Sequence, residues 1–255
     1  MNKRETLAVC GKGGVGKTSF SALVVKNLVR NRGGKILAID ADPAVGLASA
    51  LGVKVTKSVD DIRKDLITQV KDGQKQDSRD TLNMLDYEIF NALEEADGFA
   101  LLAIGRPEDE GCYCRVNSLL KDIISDLADR FDYVLIDGEA GIEQINRRVM
   151  KTVDHLILIS DTSAKGVNVA QTIYDVANSN HAVDFSSIGM VLNRVRNEEE
   201  VRQISSRIPF ELFGWIPEDD LIREFDFRAS PLLELPDDSS ANMVVSSILE
   251  KLRLG

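Results

Sequence analysis

Cysteine is scarce in this chain. Three residues among 255, an odd number, do not make a disulfide framework and fit a reducing compartment. Long apolar runs are also lacking: no segment reaches the length that spans a bilayer. The opening MNKRETLAVC enters a strand without the apolar core of a secretory signal, so a cytoplasmic location is expected. Positive charge is outweighed, with 31 Lys and Arg against 41 Asp and Glu, and the net charge of −10 would repel a phosphate backbone or an anionic bilayer. Nucleic-acid and membrane partners are therefore not expected. There is no internal repeat and no low-complexity tract. What is present is 44% hydrophobic residues, enough for a single large α/β domain over residues 1–255.

Short apolar runs of strand character recur along the whole chain, at 6–10, 35–39, 99–104, 133–136, 155–160, 188–192 and 212–216. Stretches of helical periodicity, such as 19–30 and 116–129, lie between them. This alternation predicts stacked βαβ units, hence an α/β fold with a mostly parallel sheet and helices on both faces. Ligands then bind outside the carboxyl ends of the strands. The segment 52–97, rich in Lys, Asp, Gln and Glu with helical fragments at 59–70 and 82–93, reads either as a solvated helical excursion or as a surface for a client protein. The last helical stretch, 242–254, carries Met243, Val244, Ile248, Leu249 and Leu252 on one stripe and is expected to close the sheet. With only Lys251 and Arg253 basic, it makes a poor interfacial membrane helix.

Directly after the first strand stands Gly11-Lys12-Gly13-Gly14-Val15-Gly16-Lys17-Thr18, the G-x-x-x-x-G-K-[ST] phosphate loop in its strand-to-helix setting. Glycines let backbone N–H groups turn inward around phosphate oxygens, and the following helix points its positive end at the same anion. Lys17 would bridge the β- and γ-phosphates of ATP, and the Thr18 hydroxyl would ligate Mg²⁺. Nucleotide contacts are expected from Gly11, Gly13, Gly14, Val15, Gly16, Lys17, Thr18 and Ser19.

The additional Lys12, giving K-G-G-V-G-K-T, makes the chain resemble the deviant-Walker P-loop ATPases, a family that includes MinD, ParA, the arsenite-pump and tail-anchor targeting ATPases and the nitrogenase iron protein. The resemblance implies a nucleotide-driven homodimer in which Lys12 reaches across a two-fold interface to the partner's nucleotide. A cation supplied that way neutralises transition-state charge only on closure. In Asp40-Ala41-Asp42-Pro43 it implies that Asp42 orients or deprotonates the attacking water. An ordinary strand-ending turn is the plain alternative for these residues. The run 131–138 ends a buried strand in Asp137, a Walker B carboxylate for Mg²⁺, with Glu139, Gly141 and Glu143 following in a second switch. Asn193 matches the family position that reads the adenine edge, although Asn after a strand is also common in turns.

Two of the three cysteines form Gly111-Cys112-Tyr113-Cys114-Arg115, ahead of a predicted helix. A helix N-terminus and Arg115 both favour thiolate, which binds soft metals. Two ligands do not close a tetrahedral site, but a two-fold dimer would supply four thiolates on its axis. Two unligated thiols in a turn, or a strained local disulfide, are the alternatives. Cys10, inside the first strand, reads as a small core residue. His155 and His181 stand at no metal-ligand spacing from the cysteines and read as structural or solvated.

The stretches 111–118, G-C-Y-C-R-V-N-S, and 137–143, D-G-E-A-G-I-E, look like the CooC and AcsF maturation ATPases of carbon monoxide dehydrogenase and acetyl-CoA synthase. That resemblance implies an ATP-hydrolysing metallochaperone, with Ni²⁺ or Zn²⁺ on Cys112 and Cys114 and the nickel enzyme as client. Two other readings share the phosphate loop: a ParA- or MinD-like positioning ATPase, and an iron–sulfur reductase or scaffold. Thiolate ligation suits zinc, nickel and a cluster alike.

Overall fold

Leu7 and Val9 enter one apolar core while Ala8 and Cys10 enter another, all four fully buried. Successive side chains of a strand face opposite ways, so this uninterrupted apolar run belongs to a strand covered on both faces. The computed structural model describes residues 4–31, 33–71, 78–106, 114–138, 149–150, 152–180 and 184–254, with backbone alone at 70–71, 78–80, 114–115 and 180.

In chain order the strands are β1 (Glu5–Gly11), β2 (Ile36–Asp40), β3 (Glu94–Ala96), β4 (Phe99–Ala103), β5 (Tyr133–Asp137), β6 (Thr152–Asp161), β7 (Asp184–Val195) and β8 (Glu211–Pro217). They form one sheet in the order β3-β4-β2-β5-β1-β6-β7-β8. Every pairing is parallel except β3 against β4. Each of the seven apolar runs of the sequence falls on a strand, with only residues 35 and 104 just beyond the strand ends. β3 was not expected, because Glu-Glu-Ala has no strand character and pairs only as an antiparallel edge.

The helices are α1 (Lys17–Asn31), α2 (Gly46–Leu51), α3 (Val59–Lys71), α4 (Ser78–Asn91), α5 (Cys114–Ala128), α6 (Ala164–Asn180), α7 (Glu198–Ser205), α8 (Asp220–Phe227) and α9 (Ser240–Lys251). One core holds α1, α2 and α9 against the sheet, and the other holds α3, α4, α5, α6 and α7. The excursion 52–97 is thus not wholly solvated: Ile62 and Leu66 of α3 and Leu85 and Ile89 of α4 are core residues. The last helix closes the sheet as expected, with Val245, Ile248 and Leu249 buried and Met243 left outside. Among the described residues no helix is long and apolar enough to cross a membrane.

The chain moves from β1 to β2 on one side and later returns to place β6 on the other. The carboxyl end of β1 is therefore the switch point at which an open α/β sheet binds ligands. The phosphate-loop sequence begins there.

Candidate nucleotide site

Five residues, 12–16, connect the end of β1 to the start of α1. At two positions around this turn a side chain would clash as well as strain the backbone. Gly11 (φ +150°) lies so close to the β6 backbone that a Cβ would overlap the Ile159 carbonyl oxygen. Gly16 (φ +95°) lies against the Asn193 amide, which a Cβ would also overlap. Gly13 and Gly14 face open space, as backbone amides that approach a phosphate must. Lys17, 7% exposed, donates from Nζ to the Lys12 carbonyl at 3.4 Å, so its ammonium lies back over the loop. Lys12 itself is half-buried.

Asp137 ends β5, the neighbour of β1, and is fully buried. Thr18 Oγ1 donates to its Oδ2 and Ser21 Oγ donates to its Oδ1, both at 2.9 Å. Burial pushes the Asp137 carboxyl up to about 6, and the two hydroxyl donors and Lys17 work against that rise. A carboxylate and a hydroxyl, both hard oxygen donors and already in contact, suit Mg²⁺, which takes one or two protein oxygens and completes its shell with water and phosphate. Ser21 was not expected from the sequence. Its one signal is its position a helical turn after Thr18.

Asp40 ends β2 in register with Asp137 of β5. Its Oδ2 accepts from Ala48 N (3.1 Å) and its Oδ1 from Asp42 N (3.3 Å), which straps the segment 41–48 onto the strand end. Burial lifts its carboxyl to about 7, against the backbone donor at Ala48, and the Asp137 charge adds to the rise. Asp42 is half-buried and accepts from Ala44 N at 2.9 Å, an Asx turn. The strand-ending-turn reading thus describes its local geometry. Within the same turn Val45 sits at φ +51°, a left-handed conformation costly for a β-branched residue.

Asn193 is buried at the carboxyl end of β7, where the pairing with β8 shifts register between Leu192 and Val195 and Arg194 takes φ +57°. Its Nδ2 donates to Val15 O at 2.8 Å, and its Oδ1 accepts from Arg194 N at 2.9 Å. The amide therefore braces the phosphate loop from across β6.

Cys10 is buried, and desolvation raises its thiol to about 12, which leaves it an inert core residue. His155 is structural: Nδ1 lies 2.8 Å from Ser187 Oγ on β7 and Nε2 3.7 Å from Glu5. Cys112, Glu139, Gly141, Glu143 and His181 lie outside the described residues, as does the side chain of Cys114. The backbone of Cys114 begins α5. Among the described residues no cluster of three or more His, Cys, Asp or Glu could hold a metal ion.

Residues 7–232 match the family described as CbiA, the CobQ/CobB/MinD/ParA nucleotide binding domain. An uncharacterized ATP-binding protein of Methanocaldococcus jannaschii is 39% identical, over 96% of this chain and 97% of its own length. The carbon monoxide dehydrogenase accessory protein CooC of Rhodospirillum rubrum is 27% identical over 96% and 97%. Among solved structures, the septum site-determining protein MinD of Pyrococcus horikoshii, complexed with Mg-ADP, aligns with a TM-score of 0.68 at 19% identity, covering 98% of this chain and 96% of that one. With the phosphate loop at the switch point of a parallel sheet and this match across most of its length, the chain belongs to the CobQ/CobB/MinD/ParA family of ATP-binding P-loop ATPases.

Proposed function

We propose that the protein is an ATP-hydrolysing metallochaperone of the CooC kind, which works as a homodimer and passes nickel to a client enzyme of the carbon monoxide dehydrogenase or acetyl-CoA synthase type. In this reading residues 11–19 cradle the phosphates, Lys17 spans the β- and γ-phosphates, and Thr18 with Asp137 would hold Mg²⁺, which would offset the negative charge on the phosphates. Asp42 turns the attacking water toward the γ-phosphorus and takes its proton as the bond to the β–γ bridging oxygen breaks, leaving ADP and phosphate. Lys12 of the partner subunit neutralises the charge that develops, so hydrolysis waits for closure. If Asn193 reads adenine, it does so with its second amide hydrogen and its free lone pair, since the others are engaged within the fold.

The observation that carries the metal half is where the cysteine-bearing connection leaves and re-enters the fold. It departs from β4, whose Ala103 is the register partner of Asp40, and rejoins at α5, whose first residue is Cys114. The thiol pair is thus connected to the strand edge that also carries the Asp42 turn. The 27% identity to CooC over nearly the whole chain supports the same direction.

The test is a Ni²⁺ and Zn²⁺ titration of wild type and Cys112→Ala, with molecular mass read by size-exclusion chromatography with and without ATP. One metal per dimer in wild type and none in the variant is expected. Metal binding that survives the substitution removes the thiolates from the reading. A brown protein after anaerobic purification favours an iron–sulfur role instead.

A further inference from the structure

Serine is seldom fully buried, yet Ser21 of α1 is, between the core residues Phe20 and Ala22. A hydroxyl in such a place costs stability unless it is hydrogen-bonded. A serine inside a helix can return its hydrogen bond to the carbonyl four residues back. Here the hydroxyl instead donates across 116 positions to Asp137 Oδ1, at 2.9 Å. Alanine would fill the position and favour the helix more, so what the oxygen adds is its bond to the carboxylate.

The backbone of Asp137 is held on both sides. It pairs with Val9 of β1 and Asp40 of β2, its carbonyl accepts from Ala41 N, and the following amide, Gly138 N, donates to Val9 O, both at 2.9 Å. Only the side-chain torsions remain, and two hydroxyls one helical turn apart fix those, Thr18 on Oδ2 and Ser21 on Oδ1. The two oxygens thus have unequal surroundings. Thr18 is half-buried in the first turn of α1, beside the phosphate loop, and while it donates to Oδ2 its hydroxyl keeps two lone pairs for a cation. Ser21 lies a turn deeper and is closed off from solvent, so Oδ1 is directed into the fold.

We propose that Ser21 sets the cation preference of the nucleotide site: by engaging Oδ1 within the fold it leaves Oδ2, beside Thr18, as the one oxygen of Asp137 that serves a cation. Mg²⁺ takes one or two protein oxygens in a strict octahedron, whereas Ca²⁺ accepts both oxygens of one carboxylate and a larger, looser shell. Holding the carboxylate to one oxygen therefore favours Mg²⁺ over Ca²⁺. Ser21 is a positioning residue, because it meets Asp137 and not the metal. The inference rests on the reading in which Thr18 and Asp137 hold the metal of the bound nucleotide, and it adds the residue that decides which metal. Partners that orient metal ligands typically change affinity by about 10- to 100-fold.

The experiment uses the full-length protein, as wild type, Ser21→Ala and Ser21→Cys. Binding of a fluorescent ATP analogue is measured in EDTA and then during separate titrations with Mg²⁺ and Ca²⁺, which give the affinity of the protein–nucleotide complex for each cation. Wild type is expected to prefer Mg²⁺. Ser21→Ala should lose about tenfold or more in Mg²⁺ affinity while Ca²⁺ affinity is held or raised, so the ratio between them falls by at least that factor. Its binding in EDTA should stay within about twofold of wild type. A role confined to stability would lower Tm and leave the ratio alone, and an unchanged ratio overturns the proposal. Ser21→Cys fills similar space with a weaker donor and should fall between. If Ser21→Ala also loses binding in EDTA, the phosphate loop has been disturbed and the cysteine variant decides: a reduced ratio there sustains the proposal and a wild-type ratio overturns it. If wild type binds the analogue equally with and without Mg²⁺, the reading of Thr18 and Asp137 as metal ligands fails and takes this proposal with it. A Mg²⁺ effect with an unchanged ratio in the variants overturns the proposal alone.

Discussion

Asp40 and Asp137 are register partners on adjacent parallel strands, both fully buried, and each holds its proton more tightly than an ordinary carboxyl. Burial is the main cause for both, and only Asp137 has two hydroxyl donors to offset it.

At these two carboxyls the folded state therefore holds more proton than the unfolded chain between pH 3.8 and about 7. The contribution of this pair is fully present below about pH 4 and is lost as pH rises through about 6 and 7. For Asp40 alone the loss is on the order of 4 kcal/mol, at about 1.4 kcal/mol per unit. Urea denaturation of the nucleotide-free protein from pH 4.5 to 8 should show this loss superimposed on the rest of the titration, and Asp40→Asn should flatten it. A wild-type slope in the variant would show that Asp40 does not carry the effect.

Thr18→Ala removes the donor to Asp137 Oδ2 and leaves a buried carboxylate oxygen without its partner. The expected cost is about 1–3 kcal/mol in the apo protein, seen as a drop of several degrees in Tm. Nucleotide affinity in the same variant should lose most of its Mg²⁺ dependence, measured by calorimetry with and without the metal.

Two glycines of one loop should behave oppositely. Gly16→Ala puts a Cβ onto the Asn193 amide at φ +95°, whereas a Cβ at Gly13 meets open space. Gly16→Ala is expected to destabilise the protein by about 1–3 kcal/mol and to weaken ATP binding more than tenfold. The thermal stability of Gly13→Ala should match wild type. Equal melting curves for the two variants would contradict the geometry of the brace.

Lys12→Gln should retain ATP binding but lose hydrolysis and nucleotide-dependent dimerisation, read by phosphate release and light scattering. Unchanged turnover would show that Lys12 does not act on the partner's nucleotide.

The sequence by itself determined the strand–helix alternation, the phosphate loop and the carboxylate at the end of β5. Each depends on neighbours a few residues apart: alternating burial along a strand, glycines within one turn, a lysine and threonine opening one helix. The contacts that complete the site are of another kind. Thr18 meets Asp137 across 119 positions, Ser21 meets it across 116, and Asn193 meets Val15 across 178. These depend on the strand order β2-β5-β1-β6-β7, which hydrophobic periodicity does not encode. Periodicity was also silent on β3, a polar edge strand, and on Lys26 of α1. Lys26 is 1% exposed, with its ammonium on the carbonyls of Leu233 and Leu235 and on Asp237, and burial pushes its pKa below the usual lysine value. A lysine or an asparagine becomes interior only when a distant segment folds over it, and that depends on packing between elements rather than on local pattern.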